Sequence, residues 1–217
     1  EIMNNNSIKT VLKNIDGAIL PISEEAEWYI LIEFSSYEKK LDAIDKINEI
    51  VNLSLEKKII LNAVFANSKK QSKQIWDLRE NISEAQRKDG ASIKNDISVP
   101  IFAVDEFIKK ADSIVSKAIP KAKKITFGHL GDGNIHYNIS QPENLSQDSF
   151  FKLERPLREK LLSLIVNMGG SFSAEHGIGI VRKKDALKIK GDEIKIMKSI
   201  KKSLDPKNIL NPGKIFD

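Results

Sequence analysis

Ile125-Thr-Phe-Gly-His-Leu-Gly-Asp-Gly-Asn-Ile-His-Tyr-Asn-Ile139 is the stretch whose reading decides the fold. Two runs rich in β-branched and aromatic residues, 125–130 and 135–139, flank Gly131-Asp-Gly-Asn134. Glycine, aspartate and asparagine tolerate the positive φ angles of a tight turn, so the pattern predicts an antiparallel hairpin. With Leu130 and Ile135 as its last pair, His129 lies directly across from His136. Directly paired residues share one face of a sheet with Cβ atoms about 4.5–5.5 Å apart, and Asn138, two residues on, falls on that face too.

Strand and helix patterns alternate before the hairpin. Tyr29–Phe34 reads as a short strand followed by Ser35-Ser36 as a helix cap, and Leu41, Ile44, Ile47, Val51 and Leu55 recur at helical spacing. Lys58–Phe65 reads as a second strand, and Ser68–Lys88 as one helix with Ile75, Leu78, Ile82 and Ala85 as its apolar stripe, ended by Asp89-Gly90. Ile93–Val99 alternates as a strand and stops at Pro100. Asp105 then opens a helix that places Phe107, Ile108, Ala111, Ile114, Val115 and Ala118 on one side.

Beyond the hairpin, residues 149–168 are helical, with Pro156 starting or kinking the helix and Gly169-Gly170 stopping it. A lysine-rich helical region runs to Leu204, and Asp205–Gly213 cannot be one helix. The expected class is α+β: a mostly antiparallel sheet, arranged as ferredoxin-like halves, with helices packed on one face. Residues 1–170 form one unit and 171–217 a C-terminal helical segment.

A chain of 217 residues can bury a real core without oligomerising. The 35 basic and 30 acidic side chains give a net charge of +5, but the lysines are scattered and no basic run is interleaved with aromatics, so a nucleic-acid partner is not expected. The absence of cysteine excludes disulfides and thiolate metal sites. No apolar run approaches the ~20 residues of a membrane span, and the first residues do not have the order of a signal peptide. The start at Glu1-Ile-Met, without an initiator methionine, suggests a piece of something longer. A cytoplasmic location is expected, peripheral membrane contact is allowed, and a eukaryotic source would make it mitochondrial.

All three histidines lie in two glycine-rich stretches, the hairpin and Glu175-His-Gly-Ile-Gly179. Histidine binds transition metals and moves protons near neutral pH, so the chemistry is concentrated there. His129, His136 and Glu175 make a 2-His-1-carboxylate set suited to Zn²⁺, Mn²⁺ or Fe²⁺, leaving His176 free as a base. On the residues alone, a hydrogen-bonded structural cluster remains an open alternative. A phosphate cradle is disfavoured because the lysine and helix start of a P-loop are missing. Arg79 and Ser83, four apart with Trp76 upstream, offer a guanidinium fork beside a hydroxyl, which suits a carboxylate, and Lys94 adds a second positive charge. A surface ion pair for Arg79 and a solvated Lys94 are the plainer readings.

Five motifs then fall in a familiar order: Trp76-Asp-Leu-Arg-Glu80, Lys94-Asn-Asp-Ile-Ser-Val-Pro100, Gly128–His136, Glu175–Gly179 and Asp205–Lys214. Together they resemble the C-terminal domain of the FAD-linked oxidases, the family of D-lactate dehydrogenases, the glycolate oxidase large subunit and D-2-hydroxyglutarate dehydrogenase. The 94–100 motif is most similar to the hydroxyglutarate branch. The resemblance implies that His129, His136 and Glu175 ligate a divalent metal and that His176 takes the hydroxyl proton as hydride leaves for FAD. It implies that Arg79 holds the substrate carboxylate and that Ser83, Lys94 and Asn138 also contact substrate.

In the same family the stretch around Asn211 packs against the flavin domain, which makes Asn211 the expected cofactor contact. Residues 1–170 would then be the substrate or cap domain, and 171–217 would complete the active site. The expected partners are a 2-hydroxy acid and the protein's own N-terminal FAD-binding domain, and a homodimer is allowed. That FAD domain would precede these residues, so the chain by itself is expected to lack the redox centre. The competing function is a non-catalytic α+β binding or assembly module; a metallohydrolase lacks a nearby general acid.

Overall fold

The computed structural model describes residues 1–34 and 40–215. Its strands are β1 (Ile2–Asn4), β2 (Trp28–Ile30), β3 (Ser92–Ile93), β4 (Asp96–Ser98), β5 (Lys123–Gly128) and β6 (Asn134–Ser140). The helices are α1 (Asn5–Asn14), α2 (Lys40–Glu56), α3 (Lys69–Glu80), α4 (Ile82–Lys88), α5 (Val104–Ala118), α6 (Gln147–Lys152), α7 (Glu154–Asn167), α8 (Lys183–Lys190) and α9 (Asp192–Leu204). All the strand pairings are antiparallel, in the order β2-β1-β5-β6, with β3 and β4 both on the far side of β6. The α+β class and the antiparallel sheet therefore hold.

Helices cover both faces of the sheet, not one as expected. Ile135, Tyr137 and Ile139 of β6 are fully buried against Phe107, Ala111 and Val115 of α5 and Leu157, Leu161 and Ile165 of α7. Ile125 and Phe127 of β5 point the other way, into Ile8 and Val11 of α1, Leu78 of α3, and Ile82 and Ala85 of α4. Because side chains alternate along a strand, a hairpin apolar at both sets of positions needs a cover on each side. Truncating a buried isoleucine or leucine in either layer costs about 2–5 kcal/mol.

The hairpin register also differs from expectation. Phe127, not His129, is paired with His136. The strand β5 ends at Gly128, and the chain turns through a 3-10 segment at Leu130–Asp132 to Gly133, whose φ is 74°. A Cβ on Gly133 would lie 2.0 Å from the Val99 carbonyl oxygen, so the β4 end of the sheet fixes where the turn closes. His129 thus stands beyond the strand, in the connection.

Several predicted elements are cut by polar side chains. The 68–88 helix is two helices because Asn81, at φ −83° and ψ 0°, donates its amide to the Asp77 carbonyl at 2.7 Å and ends α3 there. Ser68 caps α3 by accepting from the Gln71 N–H. The 93–99 strand is split at Asn95, whose Nδ2 donates to the Tyr137 carbonyl at 2.9 Å, but the register is the same on both sides, Ile93 with Ile139 and Asp96 with His136.

The 149–168 helix is α6 plus α7, and Pro156 sits in the first turn of α7, where its missing N–H is harmless. Trp28–Ile30 is the paired part of the 29–34 strand. The expected Lys58–Phe65 strand is an irregular, largely exposed segment with no ladder partner among the described residues, and an apolar run without one does not make a strand. The Ser35-Ser36 cap lies outside the described residues. No helix among the described residues is long and apolar enough to cross a membrane.

The chain bridges to β4 at Ser171 and then leaves the strands. Phe172, Ala186 and Ile194 form a small cluster with Leu162 of α7, which anchors the C-terminal helices to the main unit.

Asp89, just past α4, ties three elements together. It pairs with Lys123 of β5 and with Lys13 of α1 at 2.7 Å, and its carboxylate is 8% exposed. Burial on its own would raise its pKa, but the two lysines and Asn14 outweigh burial and bring it from 3.8 to about 2. A depressed carboxylate stabilises the fold fully above its unfolded pKa and loses that contribution as pH falls through the folded value. Asp89→Asn should therefore lower stability by about 1–2 kcal/mol at pH 7, discounted for the exposed lysine partners, with the gap closing toward pH 2. Urea titrations at pH 7 and near pH 2 check this; a gap that persists at low pH would contradict it.

Candidate active site

The sheet brings one group of residues level across three strands. His136 pairs with Phe127 on one side and with Asp96 on the other, so all three share a face. Next to Asp96, Ser98 exchanges backbone hydrogen bonds of 2.9 and 2.8 Å with Ser171, so the chain after Gly170 runs along the sheet edge. Gly170 can only be glycine here, since a Cβ would meet the Ser98 carbonyl oxygen at 2.2 Å.

Three residues further on, the chain wraps around the Asp96 carboxylate. The N–H groups of Ala174, Glu175 and His176 donate to its Oδ2 at 3.1, 2.8 and 2.9 Å, and Asn134 Nδ2 donates to its Oδ1 at 3.0 Å. Burial opposes the charge, but the His176 and Glu175 N–H groups and the Asn134 amide hold the carboxyl below its usual range.

Glu175 stands between two histidines. Its Oε1 is 3.2 Å from His129 Nε2 and its Oε2 is 3.3 Å from His136 Nε2. Each imidazole turns its other nitrogen to a second carboxylate, His129 Nδ1 to Glu1 Oε1 at 2.6 Å and His136 Nδ1 toward Asp96 Oδ1 at 3.7 Å. Each Glu175–imidazole distance is near the roughly 3.3–3.5 Å that separates two donors bound about 2.0–2.2 Å from one ion, and carboxylates behind imidazoles are the usual support of such ligands. Burial lowers the His136 pKa, partly offset by Asp96 and Glu175, and so favours the neutral imidazole that ligates.

A second, overlapping set of donors is Asp96, His136, Glu175 and His176, whose ligand atoms lie within 4.8 Å of one another. Both Asp96 oxygens also accept from N–H donors, Oδ2 from three backbone groups and Oδ1 from Asn134. His176 is 65% exposed, with Nδ1 3.9 Å from Asp96 Oδ2. Its ring is stacked on His136 at 5.6 Å between centroids. It stands at the open side of the group, whereas His129 is braced by Glu1 and lies outside this four-residue set.

Arg79, in the last turn of α3, joins the same corner. Its Nε donates to Glu1 Oε2 at 2.6 Å and its guanidinium lies 4.8 Å from the centroid of Phe127, which is itself 4.9 Å from the His136 ring. The two Nη groups have no protein partner among the described residues. Trp76 is tied to Glu33 through its indole N–H at 2.7 Å.

The remaining predicted residues are placed differently. Ser83 is exposed on α4, past the Asn81 break, and is not on one continuous helix with Arg79. Lys94 is exposed in the gap between β3 and β4, level with Asn138 by the shared register. Asn138 is buried in a polar network, donating to Gln86 Oε1 at 2.9 Å and accepting from the Asn95 N–H at 3.2 Å. Asn211 is exposed in a left-handed turn with φ 45°. Glu1 and Asp96, the two carboxylates that orient the histidines, escaped sequence reasoning; Asp96 lies inside a quoted motif, but nothing local marks Glu1.

The model of a family described as FAD linked oxidases, C-terminal domain, matches residues 1–215. The chain is 37% identical, over all of its 217 residues, to the mitochondrial D-2-hydroxyglutarate dehydrogenase of Arabidopsis thaliana, of which it covers 37%. It is 36% identical over 200 residues, 90% of the chain and 42% of the relative, to the D-2-hydroxyglutarate dehydrogenase of Stutzerimonas stutzeri. Over 222 residues it is 32% identical to the D-2-hydroxyglutarate–pyruvate transhydrogenase of Saccharomyces cerevisiae, with 99% of the chain and 44% of that protein covered. The chain thus spans well under half the length of these relatives. Matched along nearly all of its length and carrying the five motifs in order, the chain belongs to the FAD linked oxidases, as their C-terminal domain.

Proposed function

We propose that this chain is the substrate- and metal-binding part of an FAD-dependent D-2-hydroxy acid dehydrogenase that oxidises a 2-hydroxy acid to the 2-oxo acid. D-2-hydroxyglutarate is the first candidate substrate, since several relatives are named for it. The observation that carries this reading is the corner in which Glu175 stands between His129 and His136 while Glu1 links His129 to Arg79.

In this reading His129, His136 and Glu175 hold zinc, manganese or iron, which when bound lowers the pKa of the substrate hydroxyl. FAD, which a domain outside this chain would hold, would supply the hydride acceptor. Arg79 presents its two Nη groups to the substrate carboxylate, because Glu1 occupies Nε and Phe127 covers one face of the guanidinium. Lys94 and Ser83 serve a second, distal carboxylate. Asn138 uses one amide N–H on Gln86 and accepts once from Asn95, which leaves a second N–H to offer to substrate.

The Nδ1 of His176 faces Asp96, so its Nε2 takes the hydroxyl proton while hydride leaves the same carbon. The segment 171–217, including Asn211, turns toward the flavin domain, which fits the exposed Ile196, Ile200 and Leu204 of α9. The cytoplasm is the proposed location, which a chain without cysteine permits.

The test is anaerobic flavin reduction in the full-length protein. D-2-hydroxyglutarate should bleach the flavin at least about 10-fold faster than D-lactate, which cannot use a second carboxylate site. Failure of every 2-hydroxy acid to reduce the flavin would overturn the proposal; preference for a monocarboxylate would overturn the substrate assignment.

A further inference from the structure

Asp96 enters the chemistry proposed above only through the Nδ1 of His176, yet it is the most heavily hydrogen-bonded carboxylate in the site. It is 4% exposed, and its Oδ2 gathers three consecutive backbone N–H groups, from residues 174, 175 and 176. Successive N–H groups that converge in this way form a concave anion-binding nest. The residue that fills the nest here belongs to β4 and is paired with the ligand candidate His136. Asn134 closes the other side by donating to Oδ1.

The consequence is geometric. Glu175 and His176 sit on an exposed stretch with Gly177 and Gly179 behind them, both at positive φ, and no side chain of residues 174–177 is buried. Apart from the His176 ring stacked on His136, packing in that stretch does not fix where the carboxylate and the imidazole point. The backbone on either side of both side chains is instead pinned to one buried charge on the sheet.

We propose that Asp96 is a positioning residue, acting through the backbone of Ala174, Glu175 and His176 to bring the Glu175 carboxylate and the His176 imidazole to the sheet histidines. It neither ligates metal nor transfers the proton. This inference rests on the functional reading above for the use of the two side chains, but not for the anchoring itself.

The test separates the two. Hydrogen exchange of the metal-free chain, read by NMR, should show the amides of residues 174, 175 and 176 exchanging about tenfold or more faster in Asp96→Ala, with those of Phe127 and Tyr137 unchanged. Mn²⁺ titration should show affinity falling about 10–100-fold in Asp96→Ala, the range for supporting groups around a metal. Asp96→Asn, which keeps an oxygen for the three donors, should restore most of the exchange protection and part of the Mn²⁺ affinity.

Unchanged exchange at the three amides in folded Asp96→Ala would overturn the proposal. So would an Asp96→Asn variant that keeps these amides protected but binds Mn²⁺ no better than Asp96→Ala, because that result marks a direct ligand. Should Asp96→Ala loosen the whole sheet, Asp96→Asn decides on the same two readings. A wild-type chain that takes up no Mn²⁺ would defeat the metal assignment and leave the exchange measurement to judge the anchoring alone.

Discussion

His136→Ala is expected to weaken divalent-metal binding by about 100-fold or more in calorimetric titration with Zn²⁺, because it takes away one of three protein donors from a site whose spacing leaves little room for a substitute. Of the neighbouring groups, His176 is the one the partner variant must test. Asp96 has both oxygens committed to N–H donors, and Phe127 packs against the vacated position. His176→Ala is the informative partner variant, since its donor atoms also lie close to Glu175. If His176 is the base and His129 the third ligand, His176→Ala should change Zn²⁺ affinity by less than about threefold while removing flavin reduction in the full-length protein. A His136→Ala chain that binds Zn²⁺ as the wild type does would remove the metal assignment. A His176→Ala chain that loses the ion would move His176 into the ligand set.

Arg79→Ala in the full-length, flavin-bound protein should raise the KM for the hydroxy acid by about 100-fold, roughly 3 kcal/mol, with a smaller change in kcat. A carboxylate held equally in the ground and transition states contributes to binding and little to the chemical step. The alanine variant has a second effect. It leaves Glu1, whose side chain is 7% exposed, without its guanidinium partner beside His129. An unpaired buried carboxylate is costly and can disturb the metal corner on its own account.

Arg79→Lys resolves the ambiguity. A lysine keeps a positive charge near Glu1 but has no planar fork, so an intermediate rise in KM, about tenfold, is expected with Zn²⁺ binding retained. Unchanged KM in both variants would end the carboxylate role; loss of Zn²⁺ in Arg79→Ala alone would show that Arg79 serves Glu1 more than substrate.

Much of this was legible in the primary structure because it depends on local chemistry. The strand alternation of 125–139, the start of α3 at Ser68 and the apolar stripe Leu78, Ile82 and Ala85 each follow from neighbours in sequence, whereas the break at Asn81 was not legible there. The identities of the donors were also readable, since the only histidines in the chain lie beside glycines that expose them. Their convergence was expected for a partly wrong reason. His129 was placed opposite His136 by pairing, but it reaches Glu175 from the connection beyond Gly128.

Contacts between distant residues were not legible. Glu1 meets Arg79 across 78 positions, and Asp96 meets the His176 N–H across 80. No periodicity encodes such a meeting, because periodicity reports only which face a residue occupies on its own element. The second layer of helices escaped for a related reason: an apolar residue shows that it needs burial, but not which helix supplies it.

The hairpin, the start of α3 at Ser68 and the inventory of imidazoles and carboxylates follow from the primary structure, because φ preferences, side-chain branching and ionisable groups belong to individual residues. Only the tertiary structure decided which nitrogen of each histidine faces Glu175. That choice belongs to Glu1 and Asp96, which hold the opposite nitrogen of each ring or lie beside it, and the sheet brings them there from elsewhere in the chain.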